Sequence, residues 1–190
     1  MRNEIGEWTS WFILFFEEVK RLEMKVCLKN PSKNSRDQAT SAWFDLPVNR
    51  EEIAEMIGVT KDYEEYTIVD YESPVTIYES TSIEELNKTY QLFQEIAGTP
   101  IAGATQALIN TWFRDLEELV ENSDGLNHFP ECETMADVAR YYHTEGLVHN
   151  GFQEILEQSE VPIDYDKIGK ALERTGNFLV TPQGIFEDVL

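Results

Sequence analysis

The chain has 190 residues, with 15 Lys and Arg against 36 Asp and Glu, a net charge of −21 at neutral pH. Hydrophobic residues make up 42% and aromatic residues 12%, enough to build a core and too many for an intrinsically disordered chain. The charge excludes the common kind of nucleic-acid binder, which needs a basic face to neutralise phosphates, and opposes docking on an anionic membrane.

Residues 1–23 contain the apolar run Trp8–Phe16 (WTSWFILFF). It is too short to span a bilayer and lacks the cationic start and small-residue cleavage site of a secretory signal. Met24 then opens MKVCLKN in the manner of a fresh start on a strand. Residues 1–23 therefore read as an N-terminal extension, with an ordinary helix packed on the body as the alternative.

Lys25–Lys29 alternates as a strand, and Ala42–Leu46 is a second, halted by Pro47. Asn49 is placed to cap a helix, REEIAEMI, that stops at Gly58. Glu65–Tyr71 and Pro74–Tyr78, rich in β-branched and aromatic residues, are two further strand candidates. Ser82 and Glu85 form a capping box ahead of Ile83, Leu86, Tyr90, Phe93 and Ile96 at helical spacing. After the break Gly98-Thr99-Pro100, Leu108, Trp112, Leu116 and Leu119 predict one helix running to Asn122–Gly125. Thr134 caps a helix over Met135–Thr144, Phe152–Leu156 reads as helical, and Ile168–Thr175 is helical as far as Gly176. Asn177–Thr181 and Ile185–Val189 form a hairpin around Pro182-Gln183-Gly184.

The expected fold is α+β, an elongated chain of three small modules. An antiparallel sheet with a helix (24–80) is followed by a helical module (81–126), then by helices with a C-terminal hairpin (127–190).

Chemistry-bearing motifs are missing. His128, His143 and His149 have no metal-ligand spacing, and Gly98–Gly103 (GTPIAG) lacks the G-K-[ST] of a phosphate loop. No G-x-S-x-G, Cys-His signature or EF-hand spacing occurs. Cys27 and Cys132 belong to no C-x-x-C. They read as two thiols of a reducing cytoplasm, with one disulfide left open. With 36 acids, adjacent carboxylates arise by chance and do not mark a general acid–base pair. The expectation is a cytoplasmic protein that is not an enzyme and has no catalytic residue, cofactor or metal.

The location of the charge is more informative than its size. Residues 1–23 hold three cations and five anions, residues 24–61 six and five, and residues 62–190 six and 26, so the last stretch carries −20. Three acidic clusters stand out. The first is Asp62, Glu64, Glu65, Asp70, Glu72, Glu79, Glu84 and Glu85. The second is Asp115, Glu117, Glu118, Glu121 and Asp124, continuing through Glu131, Glu133 and Asp137, with no Lys or Arg between 115 and 139. The third is Glu154, Glu157, Glu160, Asp164 and Asp166. Like charges three or four apart weaken a helix by a few tenths of a kcal/mol (~0.2–0.5) per pair, so selection for stability alone would scatter lysines among them. About 20 charges match about 34 Å of duplex at one charge per ~1.7 Å. Carboxylates on successive helical turns rise about 5–6 Å apart, of the order of phosphate spacing along a strand. Such a surface suits a basic DNA-binding groove.

MKVCLKN at 24–30, AWFDLPV at 42–48, EEYTIVDYE at 64–72 and SIEELN at 82–87 resemble, in order and spacing, the ArdA antirestriction proteins. NFLVT at 177–181 and Gly184-Ile185-Phe186 extend the resemblance to the C-terminal end. One departure is that residues 31–42 contain no glycine, where the family carries glycines before the tryptophan. The resemblance implies a homodimeric DNA mimic that inhibits type I restriction-modification enzymes by occupying the DNA-binding groove of their specificity and methyltransferase core. It makes no direct nucleic-acid or membrane contact. The sixteen carboxylates of the first two clusters would then stand in for phosphates, the dimer contact would lie around Asn122–Tyr142, and Trp43, Phe44, Leu46 and Tyr71 would belong to the core of the first module. The alternatives from the residues themselves are an acidic adaptor for another basic DNA-binding protein and a hydrolase using a carboxylate pair.

Overall fold

A computed structural model describes residues 24–32, 40–59, 65–145 and 162–189. The extension 1–23, with its apolar run, and the helix expected at Phe152–Leu156 lie outside the described residues. The fold is α+β, and the described residues form two three-stranded antiparallel sheets with helices between the sheets and between the strands of each. The chain divides into two compact units between Ala102 and Gly103.

In the first unit, β1 (Lys25–Lys29) is the central strand, flanked by β2 (Ser41–Asp45) and β3 (Thr67–Glu72). Both pairings are antiparallel, and the register against β3 slips between Cys27 and Leu28, leaving Val69 as the bulged residue. Val26 lies opposite Phe44, and Leu28 opposite Ala42 and Ile68; Val26, Leu28, Phe44 and Ile68 are buried.

The pleat sends alternate residues to opposite faces, which corrects one expectation. Phe44 and Leu46 are in the core, but Trp43 is 44% exposed, and Tyr71, although opposite buried Val26 on the Phe44 face, is 37% exposed on the edge strand β3. Trp43 pairs with Cys27, so it stands on the face opposite Phe44.

Helix α1 (Arg50–Ile57) begins as expected, with the Asn49 side chain accepting from the Glu51 amide. It ends at Gly58, whose φ of 69° is in the left-handed region that glycine tolerates. Buried Asn30 ties the end of β1 to this helix by donating to the Ile57 carbonyl at 3.0 Å. Residues 74–78 are not a strand. Pro74 offers no amide, the Val75 amide donates to Ser73 Oγ, and the Tyr78 amide donates to Thr81 Oγ1. Local side-chain acceptors have replaced a ladder partner. Val75 and Ile77 are still buried, which explains the strand-like alternation.

Helix α2 (Ile83–Ile96) buries Ile83, Leu86, Phe93 and Ile96. Its Asn87 side chain clasps Val48 from both sides, accepting from the amide at 2.7 Å and donating to the carbonyl at 3.0 Å.

The helix expected from 101 to 122 is two helices, α3 (Pro100–Thr111) and α4 (Leu116–Glu121). Leu108, Leu116 and Leu119 are buried as the periodicity requires. Asp115, however, is extended and accepts from the Glu118 amide as the N-cap of α4. A strong N-capping residue beginning a new helix overrides the continuous apolar period.

A 3-10 turn (Ser123–Gly125) leads into β4 (Leu126–Phe129), a strand that the sequence pattern does not announce. In the second unit β6 (Gly184–Asp188) is central, between β4 and β5 (Phe178–Thr181), and β5–β6 is the expected hairpin. Helices α5 (Met135–Glu145) and α6 (Tyr165–Glu173) complete the unit. Its core joins Phe129, Cys132, Met135, Val138 and Ile185, with Tyr142, Leu172 and Phe178 packed against them. The α5–α6 approach is close enough that a Cβ at Gly169 would lie 2.6 Å from the Met135 carbonyl carbon.

Candidate partner-binding surface

Fourteen of the sixteen candidate carboxylates are described; Asp62 and Glu64 lie outside the described residues. All fourteen reach solvent. Twelve are exposed, and Glu118 and Asp137 are half-buried.

In the first unit, Asp70 and Glu72 lie on β3, where the register sets them opposite Cys27 and Lys25. Asp70 accepts from the adjacent Tyr71 amide at 2.9 Å. Glu65 and Glu79 line an open groove of ≈ 490 Å³, whose walls include Tyr66 and Ser82. Tyr66 donates its hydroxyl to the Thr81 carbonyl. Glu84 and Glu85 open α2. Glu84 is ion-paired with Arg50, and that hydrogen bond holds its carboxyl below the ordinary range. Glu85 closes the capping box, with its carboxylate accepting from the Ser82 amide at 2.8 Å and from the hydroxyl at 2.9 Å. The backbone bond from Ser82 is the main reason its carboxyl is also held low.

In the second unit, Asp115, Glu117, Glu118 and Glu121 belong to α4 and its cap, and Asp124 to the 3-10 turn. Glu118 folds back, accepting from the Arg114 amide at 2.7 Å and pairing with its guanidinium at 3.0 Å. The amide bond is the larger cause of its lowered pKa. Glu131 and Glu133 are exposed between β4 and α5. Asp137 and Thr134 cap α5 reciprocally. The carboxylate takes the Thr134 hydroxyl at 2.7 Å and amide at 2.9 Å, and the Asp137 amide donates to Thr134 Oγ1 at 3.3 Å. Asp137 also pairs with Arg140, and its carboxyl is held low first by the Thr134 hydroxyl. From the third cluster, Asp164 caps α6 through the Lys167 amide, and Asp166 sits in its first turn.

Among the described residues, no cation pairs with Glu72, Glu79, Asp124, Glu131 or Glu133.

Two of the three histidines have structural partners. His128 lies 2.7 Å from the Gln183 carbonyl oxygen and stacks on Phe186 at 4.6 Å. His143 meets the Tyr165 hydroxyl at 2.7 Å, while Arg140 stacks over the Tyr165 ring at 5.2 Å. Both cysteines are free thiols, buried, and pushed up in pKa by that burial, opposite to the shift that activates a nucleophilic thiol. Among the described residues, no group of three His, Cys, Asp or Glu side chains is placed to hold a metal, and no helix is long and apolar enough to cross a membrane.

Residues 29–187 match the model of a protein family described as antirestriction protein (ArdA). No curated protein matches the chain.

Proposed function

The chain belongs to the ArdA family of antirestriction proteins, and on that premise we propose that it acts as a non-catalytic mimic of B-form DNA. It occupies the DNA-binding groove of a type I restriction-modification enzyme, at the specificity and methyltransferase core, and excludes DNA by competition. Carboxylates drawn from the first two acidic clusters take the places of phosphates. The observation that carries this reading is the charge asymmetry. Residues 62–190 hold −20 of the net −21, with no Lys or Arg from 115 to 139, and every described candidate carboxylate reaches solvent. A basic groove would gain from this arrangement the attraction it gains from a sugar–phosphate backbone, which dominates non-specific DNA affinity.

Antirestriction follows the number of charges removed. A single Glu→Gln at an exposed position should change inhibition of DNA cleavage little, whereas neutralising a whole cluster should lower it strongly. A restriction assay with a purified type I enzyme separates this from carboxylate-pair catalysis, in which one or two acids would be indispensable. Abolition of inhibition by one such substitution, with the fold intact, would overturn mimicry.

Pairing of two copies through the region around Asn122–Tyr142 belongs to the same proposal. Tyr141, 43% exposed on α5, supplies apolar surface to such a contact. Sedimentation of the full chain tests it, and a monomer at micromolar concentration would contradict it.

A further inference from the structure

We propose that the candidate carboxylates divide into two groups with different work, and that those at the helix starts hold the scaffold rather than touch the partner. The inference rests on the mimicry reading and sharpens it.

The division follows from where each oxygen is already committed. Glu85, Asp115 and Asp137 each accept from backbone amides at a helix start, at 2.8, 2.9 and 2.9 Å. The first amides of a helix have no partner within it, so these bonds fill a requirement of the fold. Glu118 repeats the pattern on the Arg114 amide. A carboxylate held this way has fewer lone pairs left for a partner's cation and cannot swing toward one without uncovering the helix end. Glu72, Glu79, Asp124, Glu131 and Glu133 make no such bond. They are exposed and unpaired among the described residues, and their side chains are free to follow a basic groove.

Amide replacements separate the two roles. Asn caps helices as well as Asp, and Gln replaces Glu in a capping box, so the hydrogen bonds survive while the charge is lost. The full chain carrying Glu85→Gln, Asp115→Asn and Asp137→Asn is compared with the full chain carrying Glu72→Gln, Glu131→Gln and Glu133→Gln. Both variants lose three charges. Each is measured for displacement of duplex DNA from a purified type I methyltransferase core and for thermal unfolding.

The expected result is near-unchanged displacement by the first variant and about a tenfold loss by the second, taking ~0.5 kcal/mol per exposed charge contact. Alanine at the same three helix-start positions should lower the melting temperature by about 2–4 °C per cap, and the amides should restore it. Equal loss of displacement by the two amide variants would overturn the division while leaving mimicry standing. Full displacement by both would overturn the division and the mimicry reading together.

Discussion

The Ser82 hydroxyl accepts a hydrogen bond from the Glu85 amide at 3.1 Å, while the Glu85 carboxylate accepts one from the Ser82 amide at 2.8 Å. This reciprocal pair starts α2, the helix that supplies Leu86 and Phe93 to the first unit's core. Ser82→Ala should therefore cost about 1 kcal/mol. Urea unfolding of the full chain measures it, and a loss near zero would mean that the cap contributes nothing to the cooperative unit.

The same bonds set a pH dependence. Glu84, Glu85, Glu118 and Asp137 are held below the ordinary carboxylate range by their donors. The unfolded chain therefore takes up these protons first as the pH falls. Their stabilisation is complete above the ordinary range and is lost as the pH passes down through their native values. Removal of Glu85 isolates its part. The difference in melting temperature between the wild type and Glu85→Ala should be greatest near neutrality and should shrink below about pH 4. A difference constant from pH 7 to pH 3 would contradict the assignment.

Charge repulsion acts on the whole molecule. A net −21 strains the compact state, and added salt screens it. The melting temperature should rise between low and moderate ionic strength. An unchanged or lower value in calorimetry would show that the acids are already balanced by their partners.

Gly169 tests the packing of the second unit. In an exposed helix, Gly→Ala gains about 1 kcal/mol. At this position the new Cβ would meet the Met135 carbonyl carbon at 2.6 Å and the Ala136 nitrogen at 2.7 Å. Both are backbone atoms of α5 and cannot yield by a rotamer change. Gly169→Ala should thus destabilise by about 1–3 kcal/mol, with the sign of the change in denaturation midpoint as the decisive readout.

Features written in short stretches of sequence were legible. The Asn49 and Ser82 caps, the Gly58 stop, the Thr134 cap and the terminal hairpin each depend on residues within a few positions of one another. Features that depend on distant partners were not. Leu126–Phe129 becomes a strand only by pairing with Ile185–Asp188, and its four residues show no alternation of their own. The resemblance placed Trp43 and Tyr71 in the core, but the pleat turns Trp43 to the face opposite Phe44, and Tyr71, although opposite buried Val26, stays 37% exposed on an edge strand. The break at Asp115 lay hidden in an apolar period that continues through it, because Asp115 also fitted a ladder of acids.

The acidic site was legible as a population. Which members are committed inside the fold depended on the geometry of each helix start. Glu85 belonged to both patterns, the capping box and the phosphate-like cluster, and only its hydrogen bonds reveal the first role at atomic distance.

Competition with DNA is the most direct test of mimicry. A labelled duplex bound to a purified type I methyltransferase core is titrated with the full chain at low salt and again at raised salt. Mimicry predicts displacement at low salt, weakening as the salt rises because it rests on screened charge. Failure to displace the duplex at low salt, or displacement indifferent to salt, would contradict it.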